Sequence, residues 1–338
     1  MEAIWKAAQR ERGISIMKLS IIVPVDNLEN YVSRTLDSLL SIRFSYDYEI
    51  IVVNDGSTDG TEAIVAGYQE KTEKIRLFTI ENGGVSHARN VGIRHAQGQY
   101  ITFMDGDDTV EPDFYEKAVS ELDAGGYDFV QGNYREVYED RVVPIEYVKQ
   151  EKVIRDRKEM LELYVCPERR QIYNSLWNKV YQGELVRQVQ FNTERKNAND
   201  QEYNFDVLCI ANRVKLLTDM SVDYFQRSDS IVHTLNAGKI LNKMKVVEHM
   251  LEKNPYPELI LPLEERRLLE LQEYYFFLCQ EKNPQAKEVR REILNCPIRQ
   301  LWPRLAPNVR RRLLLYRFAG NLHGWYLSNK PKGKGNVL

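Results

Sequence analysis

Between residues 19 and 105, short apolar runs alternate with amphipathic stretches, and each run breaks off in a polar cluster. LSIIVPV (19–25) is short and rich in β-branched residues, as strands buried on both faces are; YEIIVVND (48–55) reads as a second buried strand, and IRLFTI (75–80) and YITFMD (100–105) as a third and a fourth. Between them, NYVSRTLDSLLS (30–41) sets Val32, Leu36, Leu39 and Leu40 on one helical face. TEAIVAGYQEK follows the turn-forming GSTDG, and GVSHARNVGIRHAQ (84–97) gives a third helix with Ser86 near its start. This alternation predicts a parallel, doubly wound α/β sheet. In such sheets ligands bind beyond the carboxyl ends of the strands, where strand order reverses. Asp26 and Asn27, Asn54 and Asp55, Asn82, and Asp105 stand at those ends. Four polar clusters are therefore expected to converge on one crevice.

The fourth run ends in DGDDT, three aspartates within four residues. Carboxylates this close repel one another, and a tight turn lets two of them reach one hard cation. Mg2+ and Mn2+ take oxygen ligands and fill their remaining positions with water and phosphate oxygens, so the turn suits a metal–diphosphate complex. For Asp108 and Thr109 a helix cap at VEPDFYEKAV is an equally good reading.

The surrounding composition excludes several classes. With 338 residues, 43% hydrophobic and 28% charged, the chain is globular, and a net charge of −2 gives no field to attract nucleic acid. Cys166, Cys209, Cys279 and Cys296 show no CxxC spacing, so reduced buried thiols are expected rather than a zinc site or disulfides. Residues 1–17 lack a signal-peptide core and are expected to form a disordered leader, with Met17 a possible true start. After residue 112 the pattern loosens. GYDFVQGNYREVY, VVPIEYVKQ and KLLTDMSVDYFQR suit strands; RDRKEMLELYV and QEYNFDVLCIANR suit helices. From about 236 the chain reads as helical.

SIIVPVDN, EIIVVNDGSTDGT, ENGGVSHARNVGI and GQYITFMDGDDTVEPDFYEKAV resemble successive motifs of glycosyltransferase family 2 over about 100 residues. WNKVY, NDQEYNFDVL and YFQRSDSI continue the resemblance more weakly. It implies a GT-A fold: a Rossmann-like, mostly parallel sheet flanked by helices, with a helical C-terminal extension. The catalytic domain would span 18–235, with a nucleotide-binding half (18–112) and an acceptor-binding half (113–235), before a helical region at 236–338. The implied reaction is inverting, metal-dependent transfer of a sugar from a nucleoside diphosphate sugar, by default a UDP-sugar, to an acceptor hydroxyl. The acceptor would be a glycan or lipid-linked glycan in surface or exopolysaccharide synthesis, on the cytoplasmic side.

Carried over by position, Asp105-Gly106-Asp107 is the DXD-type motif, with Asp107 on Mn2+ or Mg2+ and Asp105 between ribose and metal. Asp55 would meet the nucleobase, while Pro24, Val25, Asp26 and Asn27 line base and ribose. Asn82 and Arg89 border the donor pocket beside Asn90, although Arg89 could instead pair with Asp55 or a neighbour. Asp200 corresponds to the family's general base, or caps its helix beside Asn199. Trp177 could stack on a sugar or pack in the core. The chain departs from the family where Asp26 replaces a tyrosine and Asn199 a glutamate, which raises a second reading: an impaired nucleotide-sugar-binding protein. DGDDT also matches the nucleophile loop of haloacid dehalogenase-type phosphatases, but there the loop follows the first core strand, and here three strands precede it. No G-x-G-x-x-G follows the first strand, which argues against a nicotinamide site.

The last forty residues are strongly basic. NVRRRLLLYRFAGNLHGWYL (308–327) interleaves Arg310, Arg311, Arg312 and Arg317 with leucines, Phe318 and Trp325. That pattern suits either a helix lying on an anionic membrane or one packing its leucines onto the catalytic domain with its arginines facing water.

Overall fold

Leu19–Val25 (β1) is buried at every position, and so is Tyr48–Asp55 (β2), which runs parallel to it in the register Ile21–Ile50, Val23–Val52 and Val25–Asn54. The computed structural model describes residues 17–226 and 236–319, together with Gly324 and Leu327. Residues 1–16 of the proposed leader, part of YFQRSDSI, Trp325 and the extreme tail therefore lie outside the described residues. The chain divides into two compact units, Met1–Ser230 and Ile231–Leu338.

In the first unit β1 is flanked by β2 and by Tyr100–Phe103 (β4), and Ile75–Ile80 (β3) lies beyond β2. All three pairings are parallel. The helices between them are Val32–Leu40 (α1), Thr61–Gln69 (α2) and Val85–His95 (α3), as the periodicity predicts. The order β3-β2-β1-β4 places the reversal of strand order between β1 and β4.

Thr109–Val110 (β5) and Phe114–Gly125 (α4) follow, then Phe129–Val137 (β6), Val142–Ile145 (β7), Lys152–Ile154 (β8) and Arg157–Val165 (α5). Lys179–Gln182 (β9), Gly183–Val186 (α6), Asn199–Ile210 (α7) and Val214–Phe225 (β10) complete the unit. The ten-stranded sheet continues β4-β9-β6-β10-β5, with β9 antiparallel to both β4 and β6. The parallel half is thus extended by a mixed half, joined through a strand of four residues.

At the amino ends of the strands, buried Glu49 accepts from Ser20 Oγ (2.7 Å), Gln97 N (2.7 Å) and Arg76 Nη1. That cluster satisfies itself, as a structural one must.

The second unit holds Ala237–Lys253 (α8), Ile260–Gln280 (α9), Ala286–Asn295 (α10), Ile298–Leu301 (α11) and Pro307–Phe318 (α12). Its own core includes Ile240, Leu268, Leu271, Leu278, Ile293, Leu313 and Tyr316. No described helix is long and apolar enough to cross a membrane.

Candidate functional site

At the carboxyl end of β1, Asn27 adopts a left-handed φ of 52°. Its backbone N–H donates to Ser57 Oγ (3.0 Å), and its Oδ1 accepts from Thr58 N (2.9 Å). The loop after β1 is thereby tied to the loop after β2. Asp26 beside it is exposed and accepts from Asn27 Nδ2 (2.8 Å) and, at 3.5 Å, from Asn82 Nδ2. Partial desolvation and the charge of Asp55 raise its carboxyl above the ordinary range. Asp55 is buried and accepts from Gly83 N (2.8 Å), while its carbonyl accepts from Asn82 Nδ2 (2.8 Å). Asn82 therefore bridges Asp26 and Asp55. Pro24 and Val25 are buried strand residues that support this turn.

The acidic turn lies across the β1–β4 reversal. Gly106 is packed so tightly that an added Cβ would come within 2.8 Å of Leu28 Cδ1 and Val25 Cγ1. The glycine brings Asp105 and Asp107, both half-buried, against the end of β1. Asp108 is fully buried: its Oδ1 accepts from Phe225 N (2.9 Å), its carbonyl from Thr35 Oγ1 (2.8 Å), and its Oδ2 has no partner. Burial and the charges of Asp107 and Asp105 push its carboxyl well above the ordinary value. The expected helix cap is thus corrected. Thr109 opens β5, α4 starts only at Phe114, and Asp108 instead ties the acidic turn to β10.

Arg89 does not pair with Asp55. Its Nη2 donates to Asp105 Oδ1 (2.9 Å) and its Nη1 to Asn199 Oδ1 (3.3 Å), beneath Phe191 at 5.5 Å. Its Nε is buried without a partner. Asn199 Nδ2 in turn donates to Ser86 Oγ (3.1 Å). Asn90 faces elsewhere and clamps the backbone of Phe191 through two bonds of 2.9 Å.

Asp200, in the first turn of α7, follows Ala198, whose left-handed φ of 59° sharpens the entry to the helix. Desolvation raises its carboxyl above 3.8, against the opposing charges of Arg89 and Lys179. The Asp200 side chain accepts from Gln201 N (2.9 Å), so it closes no cap onto the N3 amide. The structure brings together Asp26, Asn27, Asp55 and Asn82 in one cluster, and Asp105, Arg89 and Asn199, next to Asp200, in another. The Pro24–Asp26 and Asp105–Gly106 segments join the two. Trp177 is set apart: it is 7% exposed, edge-on to Tyr134 at 4.8 Å and stacked on Tyr224 at 5.6 Å.

Lys179 is a member that sequence reading passed over. Fully buried on β9, it donates to Tyr173 O (2.9 Å), Asn178 Oδ1 (3.1 Å) and Ser175 O. Asn204, on α7, binds Asn174 O and, at 3.0 Å, Asp200 O, so loop 173–178 is pinned beside the start of α7. Burial pushes the Lys179 ammonium well below its ordinary value, opposed by the charge of Asp200. The available signal was a lysine two residues from both Trp177 and Tyr181 in WNKVY.

A hard divalent cation fits the acidic turn on its donor chemistry. The turn offers only oxygen, and two half-exposed carboxylates, Asp105 and Asp107, share it, although no group of three or more ligating side chains gathers among the described residues. Two protein carboxylates leave positions for phosphate oxygens.

The family model described as glycosyl transferase family 2 matches residues 20–193. Among curated proteins, the chain is 32% identical over 216 residues to the uncharacterized glycosyltransferase EpsJ of Bacillus subtilis (strain 168), covering 63% of this chain and 62% of that protein. It is 30% identical over 213 residues to the poly(ribitol-phosphate) beta-N-acetylglucosaminyltransferase TarS of Staphylococcus aureus (strain Mu50), covering 62% of this chain and 35% of TarS. The matches thus span less than two thirds of these relatives' lengths. The solved structure of S. aureus TarS 1-349 in complex with UDP-GlcNAc superimposes with a TM-score of 0.68 at 22% identity, covering 92% of this chain and 90% of that one.

Proposed function

Because the chain belongs to glycosyltransferase family 2, we propose that it transfers a sugar, with inversion, from a nucleoside diphosphate sugar to an acceptor hydroxyl. The observation that carries this reading is the Arg89 junction. One guanidinium joins Asp105 of the acidic turn to Asn199, the neighbour of Asp200, so the donor side and the base side share one network.

Asp26, Asn27, Asp55 and Asn82 bind the nucleoside: their acceptors and amide groups suit the polar edge of a base and the hydroxyls of a ribose. Asp105 and Asp107 would hold Mn2+ or Mg2+, which supplies electrophilic stabilisation of a diphosphate leaving group when bound. Arg89 keeps Asp105 oriented and adds positive charge beside the diphosphate. Asp200 accepts the proton of the attacking hydroxyl, and its raised carboxyl is better matched to that work than an ordinary aspartate. Asn199, itself bound to Ser86 of α3, holds the Arg89 guanidinium from the side of α7. A UDP-sugar is the first donor class to test, since TarS was solved with UDP-GlcNAc. The acceptor is a glycan or lipid-linked glycan of a surface or exopolysaccharide, reached from the cytoplasm. Trp177, packed between Tyr134 and Tyr224, serves the acceptor side by setting the floor on which those rings lie.

Thermal-shift screening of nucleoside diphosphates and their sugars, with and without Mn2+, identifies the donor. Radiolabelled turnover with wild type and Asp200→Asn then tests the chemistry. The variant is expected to bind donor normally and lose turnover by about 100-fold or more. Wild-type turnover in Asp200→Asn would remove the base assignment. Donor binding without turnover in the wild type, across an acceptor panel, would instead favour the impaired protein suggested by Asp26 and Asn199.

A further inference from the structure

Helix α12 has two apolar faces. Val309, Leu313 and Tyr316 turn inward: the Tyr316 ring lies edge-on to Tyr275 at 5.1 Å, and its carbonyl accepts from Arg290 Nε (2.7 Å). Arg311, Leu314, Leu315 and Phe318, spaced i, i+3, i+4 and i+7, form a second stripe on the opposite side. There Leu314 is 48%, Leu315 38% and Phe318 78% exposed. Arg310 and Arg317 border this stripe, the latter with its guanidinium 5.9 Å over the Phe318 ring. Leu313 packs into the second unit's own core, while Leu314 and Leu315 are exposed.

Charge points the same way. After Glu292 the sequence contains nine lysines and arginines and no acidic residue, in a chain whose net charge is −2. We propose that the outward face of α12 docks on an anionic membrane surface, with Leu314, Leu315 and Phe318 entering the headgroup–acyl boundary and Arg311 and Arg317 meeting lipid phosphates. Apolar insertion and basic contacts reinforce each other in such a helix, and neither suffices alone. A second copy of the chain fits less well, because a two-fold contact would set like charges against each other. A nucleic acid would leave the three apolar side chains in water. The inference is independent of the transfer reaction, and donor binding measured without lipid tests that reaction separately.

The test is co-sedimentation of the full chain with vesicles of phosphatidylcholine alone, or of phosphatidylcholine mixed with phosphatidylglycerol. Binding is expected only to the anionic vesicles and should weaken with salt. Arg311→Gln and Arg317→Gln should each lower partition about fivefold. Leu314→Gln combined with Phe318→Gln should lower it by about tenfold or more. Circular dichroism and donor binding verify folding, and the two exposed arginine variants keep the test decisive if the apolar pair misfolds. Equal binding to neutral vesicles, or partition unchanged in the variants, would overturn the proposal. So would a concentration-dependent dimer abolished by Phe318→Gln, which would assign the face to a second copy.

Discussion

Lys179 places a buried positive charge within electrostatic reach of the proposed base, and its two effects can be measured separately. Its ammonium donates to two carbonyls and an amide oxygen of loop 173–178. Lys179→Met should therefore cost about 1–3 kcal/mol for each carbonyl left without a donor, read from the denaturant midpoint. Arg89 and, to a smaller extent, Lys179 offset the upward push of burial on the Asp200 carboxyl. With Asp200 ionised as base, transfer declines as pH falls through its folded value, which lies above 3.8. Removing Lys179 raises that value further, so the acid limb of the kcat/KM profile should move to higher pH. An unmoved limb would show Lys179 to be purely structural. The acidic residues of the site were legible from the sequence because a soluble strand has little use for DGDD at its end. Lys179 was not, since a lysine on a strand ordinarily faces water. The fates of Asp108 and Asn90 were set by the tertiary partners Phe225 and Phe191, which no local pattern announces.

At the level of elements, the close seating of α3 on β1 fixes where Arg89 stands. A Cβ added to Gly92 would come within 2.4 Å of Ile22 Cγ2, so the helix rides on the strand with no spare room. Gly92→Val is expected to force the two apart, at a cost of about 1–3 kcal/mol by overpacking. Donor binding should weaken with it, because Arg89 shifts away from Asp105; a variant destabilised with unchanged donor affinity would disconnect this packing from the site. The parallel half of the sheet was legible because its strands are continuous apolar runs. In the mixed half, β9 has four residues and β8 three, and their antiparallel pairing depends on neighbours far away in the chain. Periodicity over so few residues cannot distinguish such strands from loops.

Across the whole molecule, the two units have separate cores, one around the sheet and one around α8–α12. Calorimetry of the full chain should resolve two transitions, and a nucleoside diphosphate with Mn2+ should raise only one of them. A single cooperative transition, shifted as a whole, would mean that the units unfold together. The proposed reaction stands on the turn Asp105–Gly106–Asp107 binding a nucleoside diphosphate through a divalent ion. Titration calorimetry of UDP into the wild type and Asp107→Ala, with and without Mn2+, tests it most directly. Binding to the wild type is expected to require the metal and to be lost in the variant. Equal affinity without metal, or in Asp107→Ala, would contradict it.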